Sequence, residues 1–175
     1  MGEDRDHREH RDGHHDHDAD SIGAAVVTVS STRTRTEDAS GDAIVAALED
    51  AGHAVVERSV VDDDVTAIEN AVAAAFDGAD ADVVVTTGGT GLTPDDVTVD
   101  ALRDLFDRPI PGFGELFRWR SYEEVGPMAM ASRATAGVVD DRLVFCLPGS
   151  ENAARLGARE LIAPAVGHLL GLVRR

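Results

Sequence analysis

A short apolar strand that breaks into a glycine-rich turn is the feature that most constrains how this chain can fold. Residues 82–87 are apolar and β-branched, which predicts a buried strand, and the GGTG sequence of residues 88–91 follows at once. Three glycines in four residues permit a tight turn and a close approach of backbone N–H groups to a ligand. Pro94 then favours the start of a helix, with Asp95 and Asp96 in or near its first turn.

This turn has two interpretations. In α/β proteins, a glycine turn at the carboxyl end of a central strand can hold a phosphate group. A plain connection between a strand and a helix would look the same, and the GGTG sequence alone does not exclude it. The remainder of the chain is needed to decide.

Strands and helices alternate along the first two thirds of the sequence. The apolar patterns predict strands at 24–29, 54–61 and 82–87, and helices at 42–51 (capped by Ser40), 66–76 and 97–106. This alternation of strands and helices predicts an α/β fold of three layers, α/β/α, with a mostly parallel, Rossmann-like sheet in the middle.

The last third of the chain adds an edge to that sheet. Strands at 135–139 and 143–147 flank Asp140-Asp141, a hairpin signal, so one edge is expected to be an antiparallel hairpin. A helical turn or two is predicted at 115–122, and a final helix at about 152–173 with a kink at Pro164.

The charge of the chain narrows the classes of partner. It carries 33 acidic and 16 basic residues, a net charge of −17, and every base is arginine. Such a surface repels nucleic acids and anionic membranes. High salt screens the self-repulsion of acidic groups, so the composition favours a cytoplasmic protein of an extreme halophile such as a haloarchaeon. A merely acidic protein is the alternative.

The first 20 residues differ from the rest. Residues 1–20 hold eight acids and five histidines but almost nothing apolar, which predicts a disordered tail before a single domain at 21–175. The histidines could gather a transition metal, although a solvated, charge-mixed extension explains them as well. No apolar run was expected to reach membrane-spanning length. The single cysteine, Cys146, lies in an apolar strand and is expected to be buried and inert.

Carboxylates follow two of the predicted parallel strands. Asp63 comes after the second strand, and Asp96 closes the glycine segment. A carboxylate beside a bound phosphate repels it unless a divalent cation bridges the two, so this pair predicts a Mg²⁺ site where nucleotide phosphates are handled. Helix N-terminal charge could also explain Asp96, and an acidic surface could explain residues 62–64. The chain has no P-loop and no dinucleotide-binding glycine spacing.

Seen together, the motifs resemble those of the MoaB/Mog-type molybdenum cofactor biosynthesis proteins. The resemblance covers about residues 24–173, and it rests on segments that occur in the family's order: Thr28-Val29-Ser30, Ser40-Gly41, Thr87-Gly88-Gly89-Thr90-Gly91, Asp96, Pro111-Gly112-Phe113-Gly114-Glu115, Ser132-Arg133 and Leu147-Pro148-Gly149-Ser150.

The resemblance implies a molybdopterin-binding fold and an activity. It implies that ATP, with Mg²⁺, adenylylates the terminal phosphate of molybdopterin and releases pyrophosphate before the metal is inserted. It also implies that Asp63 and Asp96 are the catalytic, Mg²⁺-binding carboxylates, with a one-residue slip possible within 62–64. The implied substrate-binding residues are Ser40, Thr87, Gly88, Gly89, Thr90, Gly91, Glu115, Ser132, Arg133, Pro148, Gly149 and Ser150.

Some questions stay open at this level. Without lysine, any cationic contact to phosphate has to come from an arginine such as Arg33, Arg35 or Arg133. The resemblance suggests a homotrimer or homohexamer and a downstream metal-insertion protein as a partner. Four of the seven aromatic residues fall within 113–122, which either form an interface or pack in the core. A molybdopterin-binding protein without catalysis, or a scaffold with a vestigial site, are the alternative functions.

Overall fold

The structure, a computed structural model, describes residues 21–32 and 34–175. The predicted tail at 1–20 and Arg33 lie outside the described residues, and so does the side chain of Arg35.

A six-stranded sheet forms the centre of the domain. Its order is β2-β1-β3-β6-β5-β4, and the first four strands in this order run parallel. The strand β5 pairs antiparallel with β6 on one side and with β4 on the other. The fold class is therefore the predicted one, although a short sixth strand extends the expected edge hairpin. The strands are β1 Gly23–Val29, β2 Ala54–Val61, β3 Val83–Thr87, β4 Arg108–Pro109, β5 Thr135–Val139 and β6 Arg142–Leu147.

Helices cover both faces of the sheet. They are α1 Ala39–Asp50, α2 Val65–Asp77, α3 Thr98–Arg103, α4 Pro111–Val125, α5 Glu151–Leu156 and α6 Ala163–Val173. One apolar cluster joins α1, α4, α5 and α6 to one face of the strands, and a second joins α2 and α3 to the other face. Alternate residues of the parallel strands supply the two clusters, as period-2 side-chain direction requires. Val83, Val84 and Val85 are all fully buried.

The helix starts lie one to four residues from the predicted ones, and those of α1, α3 and α4 affect candidate site residues. Asp38, rather than Ser40, caps α1 by accepting a hydrogen bond from the amide of Gly41. The helix after the glycine turn begins at Thr98, so Asp95 and Asp96 precede it within a turn. The helix α4 begins at Pro111, earlier than expected, because proline suits a first helical position.

The C-terminal helix is continuous over Glu151–Val173 but contains a π-helical stretch at Gly157–Ile162. Pro164 follows this stretch within the first turn of α6, and the wider turn accommodates the missing proline donor. This helix is long and apolar enough to cross a membrane, so the expectation that no run reaches that length was wrong. Its apolar residues, among them Ile162 and Leu170, belong to the core, which accounts for its composition.

Two local predictions are confirmed. Asp140 and Asp141 both have positive φ and form the tight turn between β5 and β6. Cys146 is fully buried in β6, and burial raises the pKa of its thiol to about 12 despite a hydrogen bond with Thr86. A thiol with this pKa stays protonated and unreactive at neutral pH.

A buried carboxylate stabilises the segment between β1 and α1. Asp38 accepts hydrogen bonds from the hydroxyls of Thr28 (2.5 Å) and Ser40 (3.0 Å), and its carboxylate pairs with Arg58 at 3.0 Å. Burial raises the pKa of Asp38, but these partners and the amide of Gly41 outweigh it and hold that pKa below its ordinary value. The contacts of the buried Asp38 therefore hold the segment between β1 and α1 against the strands.

Replacing Asp38 with asparagine should lower the free energy of unfolding by about 2–4 kcal/mol at pH 7, because one partner of a buried charge pair is lost. The folded-state pKa of Asp38 lies below the unfolded value, so its stabilisation is complete above about pH 4 and disappears as the pH falls through the folded pKa. Urea unfolding of both proteins from pH 7 down to pH 3 measures the difference.

Asp42 offers a matched control, because it also pairs with Arg58 (2.5 Å) but is exposed. We expect Asp42→Asn to cost under about 1 kcal/mol at pH 7. Equal losses for the two variants would contradict the role assigned to burial.

Candidate functional site

A cleft of about 890 Å³ opens at the carboxyl ends of the parallel strands. Residues after β1, β2, β3 and β6 line one wall, as expected for an open α/β sheet. The other wall comes from α4 and the 3₁₀ segment Gly126–Ala131. Of the predicted site residues, the following line the cleft: Asp63, Gly88, Gly89, Thr90, Gly91, Asp96, Ser132, Pro148, Gly149 and Ser150.

Asp63 reaches the cleft from the loop after β2. Its Oδ2 accepts hydrogen bonds from the amide (2.8 Å) and the hydroxyl (2.9 Å) of Ser31, which follows β1. Asp64 instead caps α2 by accepting from the amide of Ala67 at 2.9 Å. Of the three consecutive aspartates, Asp63 is the one that lines the cleft.

Asp96 is held by a similar arrangement on the opposite side of the glycine turn. Its Oδ2 accepts from the amide (2.9 Å) and the hydroxyl (2.6 Å) of Thr93. Burial raises the pKa of Asp96, but the hydrogen bonds from Thr93 and Gly91 and the charge of Arg133 hold that pKa below its usual value. The Asp96 carboxylate is therefore ionised at neutral pH. In Asp63 and in Asp96 alike, one carboxylate oxygen accepts both bonds from a neighbouring serine or threonine.

The glycine turn has the geometry that its sequence predicts. Gly88 and Gly89 have φ of +106° and +66°, conformations that favour glycine. The amide of Gly88 donates to the carbonyl of Leu147 at 2.9 Å. Within the part of the chain that the structure describes, no hydrogen bond occupies the amides of Gly89 and Thr90. These two N–H groups can therefore bind a ligand.

The turn after β6 forms the adjoining part of the wall. Ser150 caps α5 by accepting a hydrogen bond from the amide of Ala153. Thr87 is fully buried, and its hydroxyl donates to the carbonyl of Pro148 at 2.9 Å. Thr87 thus fixes the glycine turn and the β6 turn to each other and does not itself line the cleft.

Sequence reasoning missed the wall that α4 provides. Phe117, Ser121, Val125 and Met128 line the cleft on that side. The aromatic cluster at 113–122 was the only signal for it, and the structure divides that cluster. Phe113 and Phe117 are buried in the core, whereas Trp119 and Tyr122 are about 60% exposed. The missed lining residues also include Ser30, Thr32, Glu124, Glu151 and Asn152.

Besides Thr87, three predicted substrate-binding residues do not line the cleft. Ser40 is buried within α1, where its hydroxyl donates to Asp38. Glu115 is exposed on α4 away from the cleft. Arg133 is engaged with the carbonyls of Gly91 and Asp96, and these contacts hold its guanidinium within the protein.

The residues that line the cleft carry a negative net charge. The described lining residues include four carboxylates and no arginine, and the acids are Asp63, Asp96, Glu124 and Glu151. Within the described ranges, no group of three or more histidine, cysteine or acidic side chains is arranged so that it could hold a metal ion. Mg²⁺ nevertheless binds commonly through one or two carboxylates together with water and substrate phosphates. Asp63 and Asp96 fit that kind of site.

Comparisons with known proteins agree with this architecture. Residues 22–168 match the family model described as "Probable molybdopterin binding domain". The Molybdenum cofactor biosynthesis protein B of Bacillus cereus is 46% identical over 149 residues, which cover 85% of this chain and 88% of the relative. The protein of the same name from Escherichia coli K12 is 44% identical over 140 residues, covering 80% of this chain and 82% of the relative.

Solved structures are similar over nearly the whole described chain. A crystal structure of Molybdenum cofactor biosynthesis protein B superposes with a TM-score of 0.85 at 44% identity, covering 89% of this chain and 97% of the other. The tungsten cofactor synthesizing protein MoaB from Pyrococcus furiosus superposes with a TM-score of 0.82 at 40% identity, covering 90% and 99%.

Proposed function

Since this chain belongs to the molybdopterin-binding domain family, we propose that it acts in molybdenum cofactor biosynthesis by transferring the adenylyl group of ATP to molybdopterin. The terminal phosphate of molybdopterin attacks the α-phosphorus of ATP. A new P–O–P linkage forms, the α–β bond of ATP breaks, and pyrophosphate leaves with its electron pair. The products are adenylyl-molybdopterin and pyrophosphate.

The observation that carries this proposal is the pairing of unoccupied backbone amides with two carboxylates in one cleft. The amides of Gly89 and Thr90 suit a phosphate group, because glycine keeps side chains away from it. Asp63 and Asp96 would repel the same phosphate unless a divalent cation lay between them. Substrates that carry their own Mg²⁺, such as ATP, satisfy both requirements.

The protein's part in the reaction is positioning and charge compensation. Two anions have to meet, and the chain offers no side-chain nucleophile in the lining. Asp63 and Asp96 would hold Mg²⁺, which would supply positive charge to offset the charge that develops on the leaving pyrophosphate. The amides of Gly89 and Thr90 orient the molybdopterin phosphate for attack. The side chains of Phe117 and Val125 add apolar surface to the opposite wall.

A molybdopterin-binding protein without transfer is the remaining candidate. A protein that only binds an anion gains nothing from two carboxylates beside it, and this favours the enzyme. The expected assembly into three or six copies, the metal-insertion partner and the adaptation to high salt stay predictions.

The proposal is tested by incubating the protein with molybdopterin, Mg²⁺ and ATP labelled at the α-phosphate in buffer of high salt concentration. We expect adenylyl-molybdopterin and pyrophosphate in equal amounts, and we expect chelation of Mg²⁺ by EDTA to reduce the rate at least 100-fold, with recovery on adding Mg²⁺. Chromatography of the label and a coupled pyrophosphate assay measure the two products.

Labelled ATP without molybdopterin is the control for simple hydrolysis. If molybdopterin binds but no AMP is transferred at any Mg²⁺ concentration, the transferase is excluded and the binding protein remains.

A further inference from the structure

Arg133 is one of three arginines that the sequence offers for a phosphate contact, but its hydrogen bonds within the described residues go to the segment 90–96 and to Asp100. Its backbone amide donates to the carbonyl of Thr90 at 2.8 Å, and its Nε donates to the carbonyl of Gly91 at 2.8 Å. Its Nη2 donates to the carbonyl of Asp96. Its Nη1 pairs with the carboxylate of Asp100 on α3 at 2.9 Å.

The loop itself has little else to fix it. Residues 92–95 are exposed, and they belong to no helix or strand. The Asp96 side chain accepts bonds from the amide and hydroxyl of Thr93 and from the amide of Gly91. The amide of Asp96 donates to the carbonyl of Thr93, and the amide of Val97 donates to the carbonyl of Asp95. All of them are local, so they set the shape of the loop but not its place against the cleft.

Arg133 supplies the missing long-range connection. It bonds the carbonyl at the start of the loop, Gly91, and the carbonyl at its end, Asp96, and both bonds come from one planar guanidinium. Its pairing with Asp100 directs the third nitrogen onto α3, the helix that follows the loop. A lysine has its three N–H donors on a single nitrogen and no planar fork, so it cannot reproduce the bonds that Arg133 makes from three separate nitrogens.

We propose that Arg133 is a positioning residue, which clamps both ends of the 91–96 loop and thereby fixes the Asp96 carboxylate at the cleft. The proposal rests on the proposed function for the role of Asp96. In this proposal Arg133 binds backbone carbonyls of the protein and not the substrate. The anionic substrate is bound by backbone amides and by the cation.

This assignment predicts how substitution divides between binding and rate. If Arg133 bound phosphate, its loss would raise KM for ATP or molybdopterin. If it positions Asp96, Arg133→Lys should lower kcat 10- to 100-fold while each KM changes less than about threefold, because a displacement of 1 Å can cost 100-fold in rate. Arg133→Gln should lower kcat at least as much.

Two further measurements separate positioning from general damage to the fold. Hydrogen exchange of the amides within 92–97 should become at least tenfold faster in Arg133→Lys, while the amides of β1 and β3 keep their protection. In the Asp96→Asn background, Arg133→Lys should lower the remaining kcat less than threefold, because the group that it positions is already lost.

Arg142→Lys is the matched control, because Arg142 also donates to a backbone carbonyl, that of Phe76, and precedes the buried part of β6 at the opposite end of the sheet. It should leave kcat, KM and the exchange of the 92–97 amides unchanged. Asp100→Asn keeps Arg133 but removes its pairing, and should give a smaller decrease of kcat in the same direction.

The outcomes are distinct. A rise of KM with unchanged kcat in Arg133→Lys, or loop exchange equal to that of the parent, overturns the positioning role. If the parent transfers no AMP, the proposed function fails, and the exchange measurement alone then decides whether Arg133 holds the loop.

Discussion

Asp96→Asn should reduce adenylyl transfer at least 100-fold and leave the protein folded. Asparagine has the same shape, and its carbonyl oxygen can still accept the two hydrogen bonds that Thr93 donates to Oδ2. The negative charge is lost, and with it the affinity of the carboxylate for Mg²⁺ at the reacting phosphates. The hydrogen bonds from Thr93 and Gly91 keep the pKa of Asp96 below its ordinary value, so the carboxylate of the parent is ionised at neutral pH.

Asp95→Asn is the matched control for this substitution. Asp95 is the neighbouring residue, carries the same charge and is exposed, but it does not line the cleft. We expect its variant to retain kcat within about twofold, since it removes a surface charge alone. Steady-state rates at saturating ATP, together with the unfolding midpoint of each variant, make the comparison.

Equal activity of parent and Asp96→Asn would remove Asp96 from the mechanism. If the parent transfers AMP, that result would also remove the basis for a Mg²⁺ site at this position.

Gly88→Ala should lower the free energy of unfolding by about 3 kcal/mol or more and abolish molybdopterin binding. Its φ of +106° is costly for alanine, and the added Cβ would overlap the carbonyl oxygen of Val29 at the end of β1. That carbonyl belongs to the backbone, so the clash cannot be relieved by rotating a side chain. The end of β1 and the glycine turn have to separate, and the phosphate-binding amides move with them.

Gly52→Ala isolates the conformational part of this cost. Gly52 also has a positive φ, +86°, but a Cβ there would meet nothing within 4 Å. We expect it to lose only about 1–2 kcal/mol and to keep molybdopterin binding. Urea unfolding with fluorescence of Trp119, and titration with molybdopterin, measure both properties.

The prediction fails if Gly88→Ala is no less stable than Gly52→Ala. The turn would then tolerate a side chain, and its glycines would have no required close approach to β1.

Much of the fold could be predicted from patterns of residues that are neighbours in the sequence. The bounds of β2 and β5 agree with the structure to the residue, because β-branched runs bounded by turn residues specify strands closely. The hairpin at Asp140 and Asp141 was equally clear. Helix starts were less so, since Asp38, Ser40 and Asp42 are all residues that can cap, and only the buried contacts of Asp38 with Thr28 select it.

Part of the candidate site could be predicted from the sequence, and there is a physical reason why the rest could not. Turns at the ends of parallel strands meet at one edge of a sheet, so the strand pattern predicts that Asp63, the glycine turn and the β6 turn converge. The wall from α4 could not be predicted, because a helix that follows the sheet edge can lie on either side of it. Arg133 shows the same limit, since a side chain six atoms long has many possible partners.

The sequence by itself determined the order of elements, the strand-to-glycine turn and the presence of carboxylates after the second and third strands, because each depends on residues that are neighbours in the chain. Only the tertiary structure decided which of the carboxylates line the cleft and that the described lining contains no arginine. It also decided that Arg133 holds the backbone of the Asp96 loop, because that contact joins residues 37 positions apart, and packing fixes it without any local pattern.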